Sequence, residues 1–109
     1  MRRSDSRIPP PPVKPVRRDG IRYEQVLNGF QAGFDQMGGY LAAFDQNTGA
    51  VLWMLKIYDN PRDPRKEGDV QDVFFRSMRF AADGTLAIEN ERGERFRVDP
   101  VSRTVAVES

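Results

Sequence analysis

Past Asp19-Gly20 the chain is cut at short intervals by turn-forming residues: Gln46-Asn47-Thr48-Gly49, Asp83-Gly84 and Glu91-Arg92-Gly93. This punctuation constrains the fold more than any other feature. Between the turns lie short β-branched and aromatic runs, the pattern of antiparallel strands joined to their neighbours in sequence. The clearest run is Ala50–Tyr58. Strict alternation there puts Val51, Trp53, Leu55 and Ile57 on one face and Leu52, Met54 and Tyr58 on the other. Both faces are apolar, so the strand is expected at the centre of a sheet and covered on both sides. Tyr40–Asp45 precedes it, and Gln46–Gly49 closes a hairpin between the two.

Downstream, Val73–Phe80 places Phe74, Met78 and Phe80 on one face, with Arg76 the exception among them. Thr85–Glu89, Arg95–Val98 and Thr104–Val107 follow as strands that alternate apolar and polar residues. The expectation is a mainly β, single-domain antiparallel meander of six to seven short strands over residues 20–109, with one sheet face toward water. Residues 22–37 read two ways. Tyr23, Val26, Leu27, Phe30, Phe34 and Met37 follow helical spacing and Gly38-Gly39 suits a helix end, but Gly29 and Gly33 each cost a helix interior about 1 kcal/mol relative to Ala. A strand over Ile21–Val26 followed by a loop is the preferred reading, and an N-terminal helix over 22–37 is the alternative.

Residues 1–19 differ in composition from the rest. They hold six basic and two acidic side chains, a net of +4, whereas residues 20–109 hold eleven and fourteen, a net of −3. Five prolines between Ile8 and Arg18 fix φ and remove backbone donors, so this stretch is expected to be a disordered arm that samples polyproline II. Pro12, Pro15 and Arg17 satisfy a P-x-x-P-x-basic pattern of the kind that aromatic grooves bind, which makes them candidate partner-binding residues. The arm has no apolar run suited to export, and the whole chain has none long enough to form a membrane helix. A cytoplasmic protein without membrane insertion is therefore expected.

The chain has no Cys and no His, which removes disulfides, thiol nucleophiles, imidazole bases and thiolate zinc sites. Carboxylate, Lys, Ser/Thr and Tyr chemistry remains. No two acids stand in an apolar setting that would separate their pKa values, and Ser77 has no base beside it in sequence. No catalytic residue, cofactor or metal is therefore assigned. Residues 59–72 form the longest stretch without strand character, with five acids, three bases, two prolines and one Gly. A cation site would use Asp59, Asp63, Asp69 and Asp72, but their spacing matches no calcium loop and Arg62, Arg65 and Lys66 stand among them. A solvated loop, with Asp63 and Arg65 as candidate partner contacts, is the better reading. Arg76, Arg79, Arg92, Arg95 and Arg97 alternate with apolar neighbours as an ordinary half-buried sheet does, and Glu89, Glu91 and Glu94 offset them. Nucleic acid is accordingly not expected as a partner.

A repeat runs through the body. Ala43–Val51 matches Arg97–Val105 at an offset of 54, in the order strand, Asp, two residues, hydroxyl, turn, Val. Asp45 and Asp99 can each accept from backbone N–H groups two or three residues ahead, with Thr48 or Ser102 supporting the turn. Asp45, Thr48, Gly49, Asp83, Gly84 and Asp99 are therefore read as structural turn residues. Tyr40–Trp53, with its apolar strand, Asp, two residues, Thr-Gly, two apolar residues and Trp, resembles the repeat of the pyrroloquinoline-quinone-type β-propeller proteins. The resemblance implies a blade hairpin, with Trp53 as the residue that locks one blade on its neighbour. It implies no quinone or metal ligand here. A complete propeller needs about four or more blades, and residues 20–109 hold material for two at most.

Taken together, these features predict a non-catalytic binding or accessory module that engages a protein partner through a sheet face, the 59–72 loop or the Pro-rich arm. An unpaired edge strand would instead support a homodimer. The alternative is a small-ligand or carbohydrate binder with Trp53, Tyr40 and Tyr58 as an aromatic platform.

Overall fold

The computed structural model describes residues 13–59 and 72–108. Eight strands make two open, four-stranded antiparallel sheets, each in sequence order. The first sheet holds β1 (Val16–Arg18), β2 (Ile21–Val26), β3 (Tyr40–Asp45) and β4 (Val51–Lys56). The second holds β5 (Phe75–Phe80), β6 (Leu86–Asn90), β7 (Arg95–Asp99) and β8 (Thr104–Glu108). The sequence predicts one meander of six to seven strands; the antiparallel, sequence-ordered pairing is found, but eight strands divide it between two sheets.

No helix is found among the described residues, so the helical alternative for 22–37 does not hold. Burial in β2 follows a period of two, with Tyr23 and Gln25 inward, and the chain then turns back on itself. The Gly29 N–H donates to the Met37 carbonyl at 2.8 Å, and a Cβ on Gly29 would stand 2.0 Å from the Gln36 carbonyl oxygen. Leu27 and Phe30, which carried the helical spacing, are 50% and 48% exposed.

Strand β1 lies in the stretch assigned to the arm. Asp19 (φ 54°) and Gly20 (φ 78°) both adopt left-handed backbone, as a two-residue hairpin turn of type I′ requires, and Arg18 pairs with Ile21 across it. A dipeptide that reads as a domain boundary is a hairpin turn, and Val13 and Val16 pack on the core. Because Arg17 pairs with Arg22 in this ladder, it is not part of a free polyproline segment.

Two β-bulges re-phase the alternation. One, in β3–β4, pairs Ala43 with Trp53 and Phe44 with Val51, so Val51 lies opposite Phe44 rather than on the Trp53 face. The other falls between Phe75 and Ser77 and leaves Arg76 outside the regular pairing. This accounts for Arg76 as the exception in its strand, and it makes Phe75 (4% exposed), not Phe74, the partner of Met78 in the core. Strand β4 is an edge strand, not the central one expected.

The two sheets pack through Tyr23, Leu41 and Ala43 on one side and Phe75, Met78, Leu86, Ile88, Phe96 and Val98 on the other. Leu86, Ile88 and Val98 are 0–1% exposed, and each such side chain contributes about 1.5–3 kcal/mol of burial. Tyr23 meets Phe80 edge-on at 5.6 Å, and Tyr58 stacks on Phe96 at 5.2 Å. Two polar ties cross this core. Gln25 Oε1 accepts from the Phe75 N–H at 2.6 Å, and the Tyr58 hydroxyl donates to the Val73 carbonyl at 2.6 Å.

The offset repeat is the same turn built twice. Asp45 Oδ1 accepts from the N–H groups of Asn47 (2.8 Å) and Thr48 (3.0 Å), and Asp99 Oδ1 from those of Val101 (2.9 Å) and Ser102 (3.3 Å). Each turn then closes on a left-handed residue. Gly49 (φ 77°) takes this place in the first sheet and Arg103 (φ 59°) in the second, each donating its N–H to the carbonyl of its own Asp.

Candidate interaction surface

Each sheet has an inner face toward the other sheet and an outer face away from it, and the two outer faces differ in chemistry. On the first sheet, alternation sends Arg22, Glu24, Ala42, Phe44 and Met54 outward, and the bulge adds Val51 and Leu52. Ala42, Phe44 and Met54, with Val26 and Leu27 beside them, line a shallow groove of about 390 Å³. Glu24, Asn28 and Gln31 also line it; Leu27 there is 50% exposed, and Val51, opposite Phe44, and Leu52 beside it are 53% and 46% exposed. The charges on this face are paired. Arg22 Nε donates to Glu24 Oε2 at 3.2 Å and stacks over the Phe44 ring at 4.6 Å, while Lys56 Nζ lies 2.9 Å from Asp59 and 3.8 Å from Asp35.

The outer face of the second sheet presents Arg79, Glu89, Arg95, Arg97 and Glu108. Arg97 bonds Glu108 at 2.8 Å and Thr85 Oγ1 at 3.1 Å, and Arg76 pairs with Glu89. Arg76, Glu89, Arg97 and Glu108 are thus held in ion pairs on this face. The loop after β2 lies over the Tyr40 and Ala42 part of the first sheet's outer face, and Val51 and Leu52 at its other end are exposed.

The three aromatic candidates do not come together. Trp53 is half-buried on the inner face of β4, 6.0 Å from Tyr23. Tyr40, 2% exposed, points to the opposite face, where Phe34 stacks on it at 4.2 Å and Asp35 accepts its hydroxyl at 2.9 Å. That hydrogen bond, helped by Lys56, holds the Asp35 carboxyl below its usual range, while burial pushes the Tyr40 phenol up. Tyr58 lies beyond β4 in the core, its phenol also raised by burial.

Asp83 takes its place in the β5–β6 turn, accepting from Thr85 Oγ1 at 2.6 Å beside Gly84 at φ 86°. Pro15 is half-buried just before β1, whereas Pro12, Asp63 and Arg65 lie outside the described residues. No three acidic side chains converge as a metal site among the described residues, and no helix there is long and apolar enough to cross a membrane.

Two features of the structure escape a sequence reading. Asn90, 0% exposed, organises the β6–β7 turn: its Oδ1 accepts from the N–H groups of Arg92 and Glu94 at 3.0 Å, and its Nδ2 donates to Glu94 at 2.9 Å. Its position ahead of Glu91-Arg92-Gly93 is the available signal. The outer face of the first sheet is the other. The apolar residues at Leu52 and Met54 point to it only once β4 is known to be an edge strand.

Comparison with known proteins returns no match from family models, from curated proteins or from solved structures.

Proposed function

We propose that this chain is a non-catalytic binding module whose outer first-sheet face engages a protein partner, and that its hairpin at 40–53 is of the propeller-blade kind. The observation that carries the binding reading is the contrast between the two outer faces. One is charged and self-paired. The other exposes Leu52, Val51 and Leu27 around a groove floored by Ala42, Phe44 and Met54. A contiguous exposed apolar patch with a polar rim marks an interaction site, because its contact with water is a standing cost that a partner removes. Two four-stranded meanders with matched Asp turns support the blade reading, in which each sheet packs face to face on the next.

The test is site-specific photocrosslinking with benzoylphenylalanine at position 52 or at position 79 of the full chain, applied in cell extract and to the purified protein. Adducts are expected from position 52 and not from position 79. No adduct at position 52, or equal yields at both positions, overturns the reading.

A further inference from the structure

Three hairpin turns meet at one end of the two packed sheets: β1–β2 at Asp19, β5–β6 at Asp83 and β7–β8 at Asp99. They rim a cleft of about 580 Å³, floored by Ile21 and Tyr23 from the first sheet and Phe80 from the second. An apolar floor under a few polar groups, in a volume of this order, is the ordinary make-up of a small-molecule site.

One group in the cleft is left over by the fold. Tyr23 is 5% exposed and its hydroxyl has no hydrogen-bond partner among the described residues, yet that oxygen is not among the fully buried unpaired atoms. It therefore opens on the cleft that Tyr23 lines. Burial and the Asp19 carboxylate push its phenol up, so it stays protonated and offers both a donor and an acceptor.

We infer that this cleft binds a small organic cation, an ammonium or guanidinium group on an aromatic or short alkyl stem. The stem lies on Ile21 and Phe80, and the cation lies at the Tyr23 hydroxyl within the field of Asp19 and Asp99. The site is separate from the outer face proposed above and does not depend on it.

Charge sets the sign of the ligand. Asp83 is already engaged, with one oxygen accepting from Thr85 and the other 3.5 Å from Arg97. Asp99 uses Oδ1 for the N–H groups of Val101 and Ser102, and its Oδ2 has no partner among the described residues. The ion pair of Asp19 with Arg18 is long, at 3.9 Å, and exposed, so it contributes little. Two carboxylates thus remain against one guanidinium. No three acids converge as a metal site among the described residues, so the spread rim suits an extended organic cation rather than a bare ion. Arg18 shows that the cleft accommodates such a group: its guanidinium lies over the Phe80 ring at 5.1 Å, and an incoming cation competes with it.

The probe is phenethylammonium, titrated into the purified full chain labelled with nitrogen-15 and followed through the backbone amide signals. The control is 3-phenylpropionate, similar in size and opposite in charge. Saturable binding at about 1 mM or tighter is expected for so small a cation, with the largest shifts at Arg18, Tyr23, Gly84 and Val101. Asp19→Asn combined with Asp99→Asn keeps both turns, because Asn tolerates left-handed backbone and supplies the same acceptor, and should weaken binding about tenfold. Arg18→Gln, which removes the competing charge, should tighten it about threefold. Tyr23→Phe should weaken it about threefold or more and leave the urea midpoint unchanged, since the hydroxyl bonds nothing in the described fold.

Equal binding of 3-phenylpropionate overturns the inference, as do shifts that fail to saturate or that map to Leu52 and Met54 on the outer face. A Tyr23→Phe variant that binds as the parent does, or an Arg18→Gln variant that binds more weakly, overturns it as well.

Discussion

Replacing Gln25 with Met tests whether the two sheets are held as one body by the polar tie between them. Gln25 is 7% exposed and Phe75 4%, and Gln25 Oε1 accepts from the Phe75 N–H at 2.6 Å across 50 residues of chain. Met has a similar length and shape but no comparable acceptor, so the Phe75 N–H is left buried without a partner. That costs about 1–3 kcal/mol. The thioether is more apolar than the amide and returns part of this, so a net loss of about 2 kcal/mol is expected. With a urea slope of about 2 kcal/mol/M, the unfolding midpoint should fall by about 1 M. The assay is equilibrium urea unfolding, followed in parallel by Trp53 fluorescence and far-UV circular dichroism. The two probes should coincide, because the core runs without a break from Leu41 to Val98. Exchange of the Phe75 amide should quicken as well. A midpoint within about 0.2 M of the parent protein, at unchanged slope, would refute the reasoning.

Acid should weaken the fold in a defined direction. Hydrogen bonds from the Thr48 and Asn47 N–H groups hold Asp45 below its ordinary pKa, Thr85 does the same for Asp83, and the Asn90 amide does so for Glu94. A carboxylate depressed in the folded state contributes stability above its unfolded pKa and loses it as pH falls through the folded value. The urea midpoint should therefore be level above about pH 5 and drop below about pH 4. Asp45→Asn, which keeps the acceptor but does not titrate, should show a shallower fall; a midpoint that rises on acidification would sink this account. The paired turns give an internal comparison: Gly49→Ala at φ 77° should destabilise by about 1 kcal/mol, whereas Arg103→Gly at φ 59° should stabilise by a few tenths or more. Thermal unfolding of the two variants would show it, and shifts of the same sign in both would contradict the equivalence of the turns.

Much of the fold is legible because it is local. Asp45 and Asp99 bond to N–H groups two and three residues ahead, so the turn is written within five residues and its second copy can be found by matching. The β3 range and most of the other strand ranges follow from alternation between such turns. Residues 22–37 were ambiguous for an equally physical reason. Apolar residues three and four apart suit a helix, yet Leu27 and Phe30 lie at the surface while Phe34 covers Tyr40. The candidate interaction surface is legible only in part: the sequence shows the apolar second face of Ala50–Tyr58 but predicts that it is covered.

The chain by itself determined its turns, its strand content, its lack of thiol and imidazole chemistry, and the equivalence of the two Asp hairpins. Each depends on residue type or on contacts a few positions apart. Only the tertiary structure decided that the strands divide into two sheets, that bulges at Leu52 and Arg76 reverse the facing of Val51 and bring Phe75 inward, and that β4 ends a sheet rather than filling its middle. Those outcomes depend on contacts such as Gln25 with Phe75, 50 residues apart, where the free energy of burying one face against another outweighs any preference a local run can express.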